Sequence, residues 1–201
     1  MKRSRVISPV VFCTLMLSAA GACHRQPRVS EADPHKPRER AQITQVQPPL
    51  TTIEQCANAW DDNENGLIDE GCGVKQAQIQ VLVAWDDDDL DLDLLVSDPK
   101  GEVATSTAPT ASGLAVLRDC PSEDACDSKP YEMVYLEEDE YLAGRYRVRV
   151  LVQKLPETGR PVIARLGIRT PEYTRAYRLA FYDSTQIIDL DFVVAALRQS
   201  E

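Results

Sequence analysis

IQVLVAWDDDDLDLDLLVSDPKGE, residues 79 to 102, decides the fold class. Apolar side chains recur at every second position: Ile79, Val81, Val83 and Trp85 share one face of the first run, and Leu90, Leu92, Leu94 and Val96 share one face of the second. A period of two is the mark of a half-buried strand, because successive side chains point to opposite sides of a sheet. The second run ends at Asp98-Pro99-Lys100-Gly101, where proline fixes one central φ and glycine closes the reversal.

The same pattern extends towards the carboxyl end. In RYRVRVLV (145 to 152), Tyr146, Val148 and Val150 point inward and Arg145, Arg147 and Arg149 outward. PVIARLGI (161 to 168), YRLAFY (177 to 182) and IIDLDFVV (187 to 194) repeat it, with weaker candidates at 102 to 105, 114 to 118 and 131 to 136. Eight or nine short strands at intervals of about ten residues, with no run of helical periodicity, predict an all-β fold: an antiparallel β-sandwich of two packed sheets. Residues 76 to 201 are assigned to this domain. Trp85 followed by DDDDLDLDLLVSDPKGE (86 to 102), with GRYRVRV (144 to 150) further on, resembles the bacterial sandwich domains of the pre-peptidase C-terminal type. That resemblance covers residues 76 to 195 and implies a jelly-roll-like core in an accessory, non-catalytic module of an exported protein.

At the amino terminus Lys2, Arg3 and Arg5 precede an apolar run from Val6 to Leu17 and small residues from Ser18 to Ala22, the three-part layout of an export signal. The run is too short to span a bilayer. AAGAC (19 to 23) resembles the lipobox of bacterial lipoproteins, with Ala20 standing where leucine is the best-known residue. The resemblance implies that residues 1 to 22 are a lipoprotein signal peptide and that Cys23 carries the lipid anchoring the chain to a membrane. His24, in place of an aspartate, implies the outer membrane or cell surface. The alternative is an ordinary Ala20-Gly21-Ala22 cleavage site with Cys23 as a free thiol, a liability in an oxidising compartment. Between His24 and Thr52 there are five prolines and no aromatic residue, so residues 23 to 52 are expected to be a disordered, Pro-rich tether. Extended, such a tether reaches roughly 90 Å.

Charge is concentrated in the remainder. Residues 53 to 201 carry 14 basic and 29 acidic side chains, a net charge of −15. Such a field repels nucleic acid and attracts divalent cations or basic partners, so nucleic acid is excluded as a partner.

The most specific string is EQCANAWDDNENGLIDEGC (54 to 72), and residues 53 to 75 are read as a calcium-binding loop. Asp61, Asn63 and Asn65 alternate and Gly66 follows, the way a loop wraps oxygen ligands around a hard cation while glycine permits the sharp turn. By the same spacing the Leu67 carbonyl and Asp69 are ligands. Cys72 stands where a bidentate glutamate is expected, so Glu70 or water takes that place. The string also resembles a short metal-binding motif, C-x-N-x-x-D-D-x-x-x-G-x-x-D-E, of exported and surface lipoproteins of gram-negative bacteria. Cys56, Asn58, Asp61, Asp62, Gly66, Asp69 and Glu70 match it, while Ala59-Trp60 replace a frequent Gly-Ile. The competing reading is a disulfide-closed acidic turn that holds no ion.

Asp86, Asp87, Asp88, Asp89 and Asp91 form a second acidic group and a second candidate metal site. On a strand Asp89, Asp91 and Asp93 share a face about 7 Å apart and call for a counter-charge. Either a cation supplies it, or Arg145, Arg147 and Arg149 do. Once Cys13 leaves with the signal and Cys23 is lipidated, Cys56, Cys72, Cys120 and Cys126 remain, with three connectivities open. Pairing neighbours, Cys56 with Cys72 and Cys120 with Cys126, closes two short loops and is expected. Zinc is the rival use of these thiols, but His24 and His35 both lie in the tether.

The same two histidines leave nucleophilic catalysis without a base inside the domain, and no enzyme is expected. A carboxylate pair acting on glycosides depends on a separation that sequence does not give, and only Trp60 and Trp85 offer broad stacking surfaces to a sugar. The expected function is a non-enzymatic, calcium-stabilised envelope or surface lipoprotein that binds or adheres to a protein or glycan ligand. The alternative is a structural or assembly lipoprotein docking onto an envelope protein complex.

Overall fold

The computed structural model describes residues 39–120, 130–137, 141–156 and 160–196. Nine strands form among them: β1 (Gln42–Val46), β2 (Ile79–Trp85), β3 (Asp91–Ser97), β4 (Ala115–Arg118), β5 (Tyr131–Leu136), β6 (Gly144–Lys154), β7 (Val162–Arg169), β8 (Thr174–Phe181) and β9 (Ile187–Val194). They make a six-stranded sheet in the order β1-β8-β7-β2-β5-β4 and a three-stranded sheet in the order β3-β6-β9. All strand pairs are antiparallel. The fold is the all-β sandwich that the alternating pattern predicts. Of the weaker candidates, 102 to 105 makes only isolated bridges, Ser97 with Val103 and Thr105 with Ala108.

The two sheets share one apolar interior. Val81, Val83 and Trp85 of β2, Leu92 and Leu94 of β3, Tyr146, Val148 and Val150 of β6 and Leu166 of β7 are all buried in it. Tyr146 and Phe192 stack across β6 and β9 with ring centroids 5.1 Å apart. The turn after β3 is as expected: the Gly101 amide donates to the Asp98 carbonyl at 2.9 Å, and Asp98 Oδ1 accepts from the amides of Lys100 and Glu102.

Two expectations are corrected. The tether assigned to residues 23 to 52 contains a strand, for β1 pairs with β8 from Gln42 opposite Ala180 to Val46 opposite Ala176. An edge strand needs a neighbour with open amides and carbonyls more than it needs an apolar face of its own, and β8 provides them. The signal at 1 to 22, Cys23 and the tether as far as residue 38 lie outside the described residues. The second correction concerns β2, where all seven residues are buried and not just alternate ones. Leu82 and Ala84, on the outer face, pack with Met133 and Tyr131 of β5 beneath Ala59 and Val74. The acidic segment is thus a lid laid over the six-stranded sheet and continuous with the domain.

Several contacts press that lid down. Cys56 and Cys72 are joined, as expected, across 16 residues; closing a loop of that length stabilises by on the order of 3 kcal/mol through the unfolded chain. Cys120 is also disulfide-bonded, and Cys126 lies outside the described residues. Arg165 Nε donates to the Asn58 carbonyl at 3.2 Å, and Arg169 Nε and Thr174 Oγ1 donate to the Gly66 carbonyl at 2.7 and 3.1 Å. Arg169 Nη1 also donates to the Ala77 carbonyl. At Gly167 of β7 the lid's backbone comes so close that a Cβ there would lie 2.0 Å from the Ala59 carbonyl oxygen. A glycine inside a strand marks this kind of approach.

Candidate metal centre

Among the described residues, four other than glycine have positive φ, namely Ala57, Ala59, Glu64 and Asp69, and every one lies in the lid. A side chain in the left-handed region costs roughly 1 kcal/mol or more, so the surroundings must impose it. Gly66, with φ at 86°, makes the turn that the sequence assigns to it. Asp61 receives that turn: its Oδ1 accepts from the Asn65 amide at 3.0 Å and its Oδ2 from the Gly66 amide at 2.8 Å. Asn63 and Asn65 each donate a side-chain N–H to Glu70 Oε1 at 2.6 Å. Asp61, Asn63, Asn65 and Glu70, four of the six predicted ligands, are therefore neighbours.

The other two are used differently. Asp69 is fully buried, and its carboxylate accepts from the amides of Asn58 and Ala59 at 3.3 and 3.0 Å, bracing the left-handed turn at 57 to 59. Burial pushes its carboxyl up to about 6 even against those donors. The Leu67 amide donates to Asn65 Oδ1 at 2.8 Å.

Two acidic side chains absent from the predicted ligand set occupy the middle of the lid. Asp62 is 1% exposed; its Oδ2 accepts from the Gln55 amide at 3.0 Å and from Asn58 Nδ2 at 2.7 Å. Glu54 Oε1 accepts from the Asp69 and Asp62 amides at 3.1 and 3.4 Å. The second oxygens, Glu54 Oε2, Asp62 Oδ1 and Glu70 Oε2, are closed off from solvent and have no hydrogen-bond partner. Burial, with the charges of Glu70 and Asp62 added, lifts the Glu54 carboxyl to about 7. Burial also raises Asp61, with a contribution from Glu70. Among the described residues no three Asp, Glu, His or Cys side chains already stand in a metal-gripping geometry. The motif did point to Asp62. Glu54 precedes the alternating run and enters from the chain leading into the lid, so loop spacing alone passes over it.

Of the second predicted site, Asp86, Asp87, Asp88 and Asp89 line one open cavity. Asp86 is clasped by Arg165 through two bonds of 2.6 Å, which hold its carboxyl below the usual range. Asp87 Oδ1 accepts from the Asp89 amide at 3.0 Å, closing the turn into β3, and Asp88 is exposed. Asp89 pairs with Lys154 at 3.2 Å, and Asp93 accepts from Gln153. Burial, with the charges of Asp93 and Asp119 added, raises the Asp91 carboxyl, and Lys154, the partner of Asp89, lies opposite Asp91 on β6. The arginines expected as counter-charges face other partners: Arg145 and Arg147 bond Asp191, and Arg149 bonds Asp189. Strand β9 lies beside β6 on the side away from β3, with Asp191 directly opposite Arg147 and Asp189 opposite Arg149.

Where the lid meets the end of β2 there is a cleft of about 500 Å³ lined by Gln55, Asn58, Trp60, Trp85, Asp86 and Arg165. It joins Trp60 to a charged pair, the mixture that binding sites for small polar molecules use, while the expected second stacking surface, Trp85, is 2% exposed and turned into the core. No family model, curated protein or solved structure matches the chain.

Proposed function

We propose that the protein is a non-enzymatic, calcium-stabilised lipoprotein of the cell envelope, held at the outer membrane or cell surface through Cys23 and acting as a binding or adhesion module. The observation that carries the calcium part is the trio of Glu54 Oε2, Asp62 Oδ1 and Glu70 Oε2, buried in the lid and unpartnered. Buried carboxylate oxygens without a partner require a proton or a cation, and calcium takes six to eight oxygens in loose geometry. Asn63 and Asn65 beside Glu70 supply further oxygens once their amides rotate. The ion then ties the start of the lid, at Glu54, to its end at Glu70. A ligand, protein or glycan, is taken in the cleft that the lid forms with the sheet.

Thermal unfolding of the intact chain tests this in calcium, in chelator, and with Asp62→Asn. At a hundredfold excess over its dissociation constant a ligand stabilises by about 2.7 kcal/mol. For a domain of this size that raises Tm by roughly 5–10 °C. The variant is expected to lose the response, and identical melting in all three conditions overturns the reading. Detergent-phase partitioning of wild type against Cys23→Ser tests the anchor: equal partitioning overturns it.

A second reading, docking onto an envelope protein complex, draws on β9. It is an edge strand of the three-stranded sheet, and Ile187 and Val193 on it are exposed. Open strand edges accept a partner's strand.

A further inference from the structure

We propose that the cleft between the lid and the end of β2 binds a neutral saccharide, Trp60 receiving the carbon face of a sugar ring and the Asp86–Arg165 pair its hydroxyls. This rests on the reading that a ligand is taken in the cleft, and it names the chemistry of that ligand.

Three separate segments build the cleft. Gln55, Asn58 and Trp60 come from the lid, Trp85 and Asp86 from the end of β2 and the turn after it, and Arg165 from β7. Its volume of about 500 Å³ lies within the range of small-ligand sites, roughly 300–1,000 Å³. Trp60 is half-buried, and its Nε1 is closed off from solvent without an acceptor. The polar corner of the indole is therefore turned inward, and whatever part of the ring stays accessible is carbon.

The charged pair is fixed before any ligand arrives. Arg165 Nη1 and Nη2 hold the two Asp86 oxygens at 2.6 Å each, and Nε holds the Asn58 carbonyl at 3.2 Å. The Arg165 side chain is only 15% exposed, while that of Asp86 is 79% exposed. A guanidinium has five N–H donors and each carboxylate oxygen two lone pairs, so a pair bound in this way keeps donors and acceptors to spare, side by side. It also carries no net charge.

That combination selects a class of ligand. An anion set on Arg165 meets Asp86, and residues 53 to 201, at −15, add to the repulsion. A cation set on Asp86 meets Arg165. A hydroxyl both donates and accepts, so neighbouring hydroxyls suit a spare donor beside a spare acceptor. A sugar carries hydroxyls around its rim and C–H groups on its faces, and the latter match the accessible carbon of Trp60. A neutral peptide has similar polar atoms but pairs best along an open strand edge. The strands lining this cleft, β2 and β7, have neighbours on both sides.

The chain's two tryptophans both line the cleft, so their indole N–H resonances report on it directly. The test is an NMR titration of the intact chain in calcium, comparing wild type with Trp60→Ala and Asp86→Asn. Chitotetraose, cellotetraose and maltotetraose are the neutral probes, separating acetamido sugars from plain hexoses and β from α linkage; tetragalacturonate and an uncharged pentapeptide are the contrasts. At least one neutral tetrasaccharide is expected to shift the Trp60 resonance saturably, and Trp60→Ala, followed at Trp85, to weaken its binding about tenfold or more. Asp86→Asn changes an exposed side chain and so keeps the test sound if Trp60→Ala disturbs the lid. It leaves Arg165 uncompensated, so neutral binding should be lost and tetragalacturonate should bind instead. A wild-type preference for tetragalacturonate overturns the proposal. Saccharide binding that is unchanged in both variants also overturns it, since the sugar then sits elsewhere. If no neutral saccharide moves either resonance, the proposal is overturned as well. A shift by the pentapeptide would then keep the cleft as a ligand site, and no shift by any probe would remove that reading too.

Discussion

The outer faces of the two sheets solve the same problem in opposite ways. Over the six-stranded sheet the lid buries Leu82, Ala84 and Met133, and β2 is enclosed on both sides. Over the three-stranded sheet nothing among the described residues is laid. There β6 alternates strictly, exposed arginines between buried Tyr146, Val148 and Val150, and the arginines find Asp189 and Asp191 on β9. The difference teaches what a strand's second parity means. Where it is charged, the face meets water; where it is apolar, something else in the chain must cover it.

Gly167→Ala probes the covered face most severely. The new Cβ would meet the Ala59 carbonyl oxygen at 2.0 Å, the Ala59 carbonyl carbon at 3.0 Å and Ile68 Cδ1 at 2.9 Å. Two of these atoms are backbone, so relief requires the lid to lift. A loss of about 3 kcal/mol is expected in urea unfolding, at the upper end for overpacking. Leu95→Ala on the open face, where the side chain is 37% exposed, should stay within about 0.5 kcal/mol. Equal effects of the two substitutions would mean that the lid rests loosely and that the contrast between the faces is false.

How far the contrast could be read beforehand follows from the same physics. Strand positions and inward faces were legible wherever parity was clean, as in β6 and β9. For β2 the apolar parity was legible, but Leu82 and Ala84 carried the further message that the outer face is covered, and an alternation template discards it. Strand β1 was hidden because QITQV has little pattern of its own and takes its conformation from β8. In the lid, the turn at Gly66 and the Cys56–Cys72 closure followed from residue type and spacing. The roles of Asp69 and Glu54 did not: Asp69 braces a left-handed turn at Ala57 and Ala59 that no alanine announces, and Glu54 stands ahead of the alternating run.

A smaller effect is expected at the margin of the lid. Arg165 links the Asp86 carboxylate to the Asn58 carbonyl, so it ties β7 both to the turn after β2 and to the lid. Arg165 depresses the Asp86 carboxyl, and the pair therefore contributes stability above the unfolded value of 3.8 and loses it as pH falls through the lower folded value. Asp86→Asn should cost under about 1 kcal/mol at neutral pH, because solvent screens the pair. The Asp86 side chain is 79% exposed. Melting curves of wild type and variant should converge in acid, below 3.8. A gap that persists there would show that the asparagine disturbs packing and that charge is not what Asp86 contributes.

On the open face, Arg149→Ala is expected to leave Tm unchanged at physiological salt. Arg149 bonds Asp189 at 2.8 Å, yet both side chains are wet, at 44% and 49% exposure. Holding two mobile chains in register offsets most of what their attraction provides, and salt screens the rest. The arginines on β6 keep an uncovered face charged, which discourages pairing between copies of the sheet. The variant should accordingly differ from wild type in light scattering at high protein concentration before it differs in melting. A drop in Tm as large as that of Asp86→Asn would show that charge holds the open face together, and the distinction between a face sealed by packing and one merely kept soluble would then collapse.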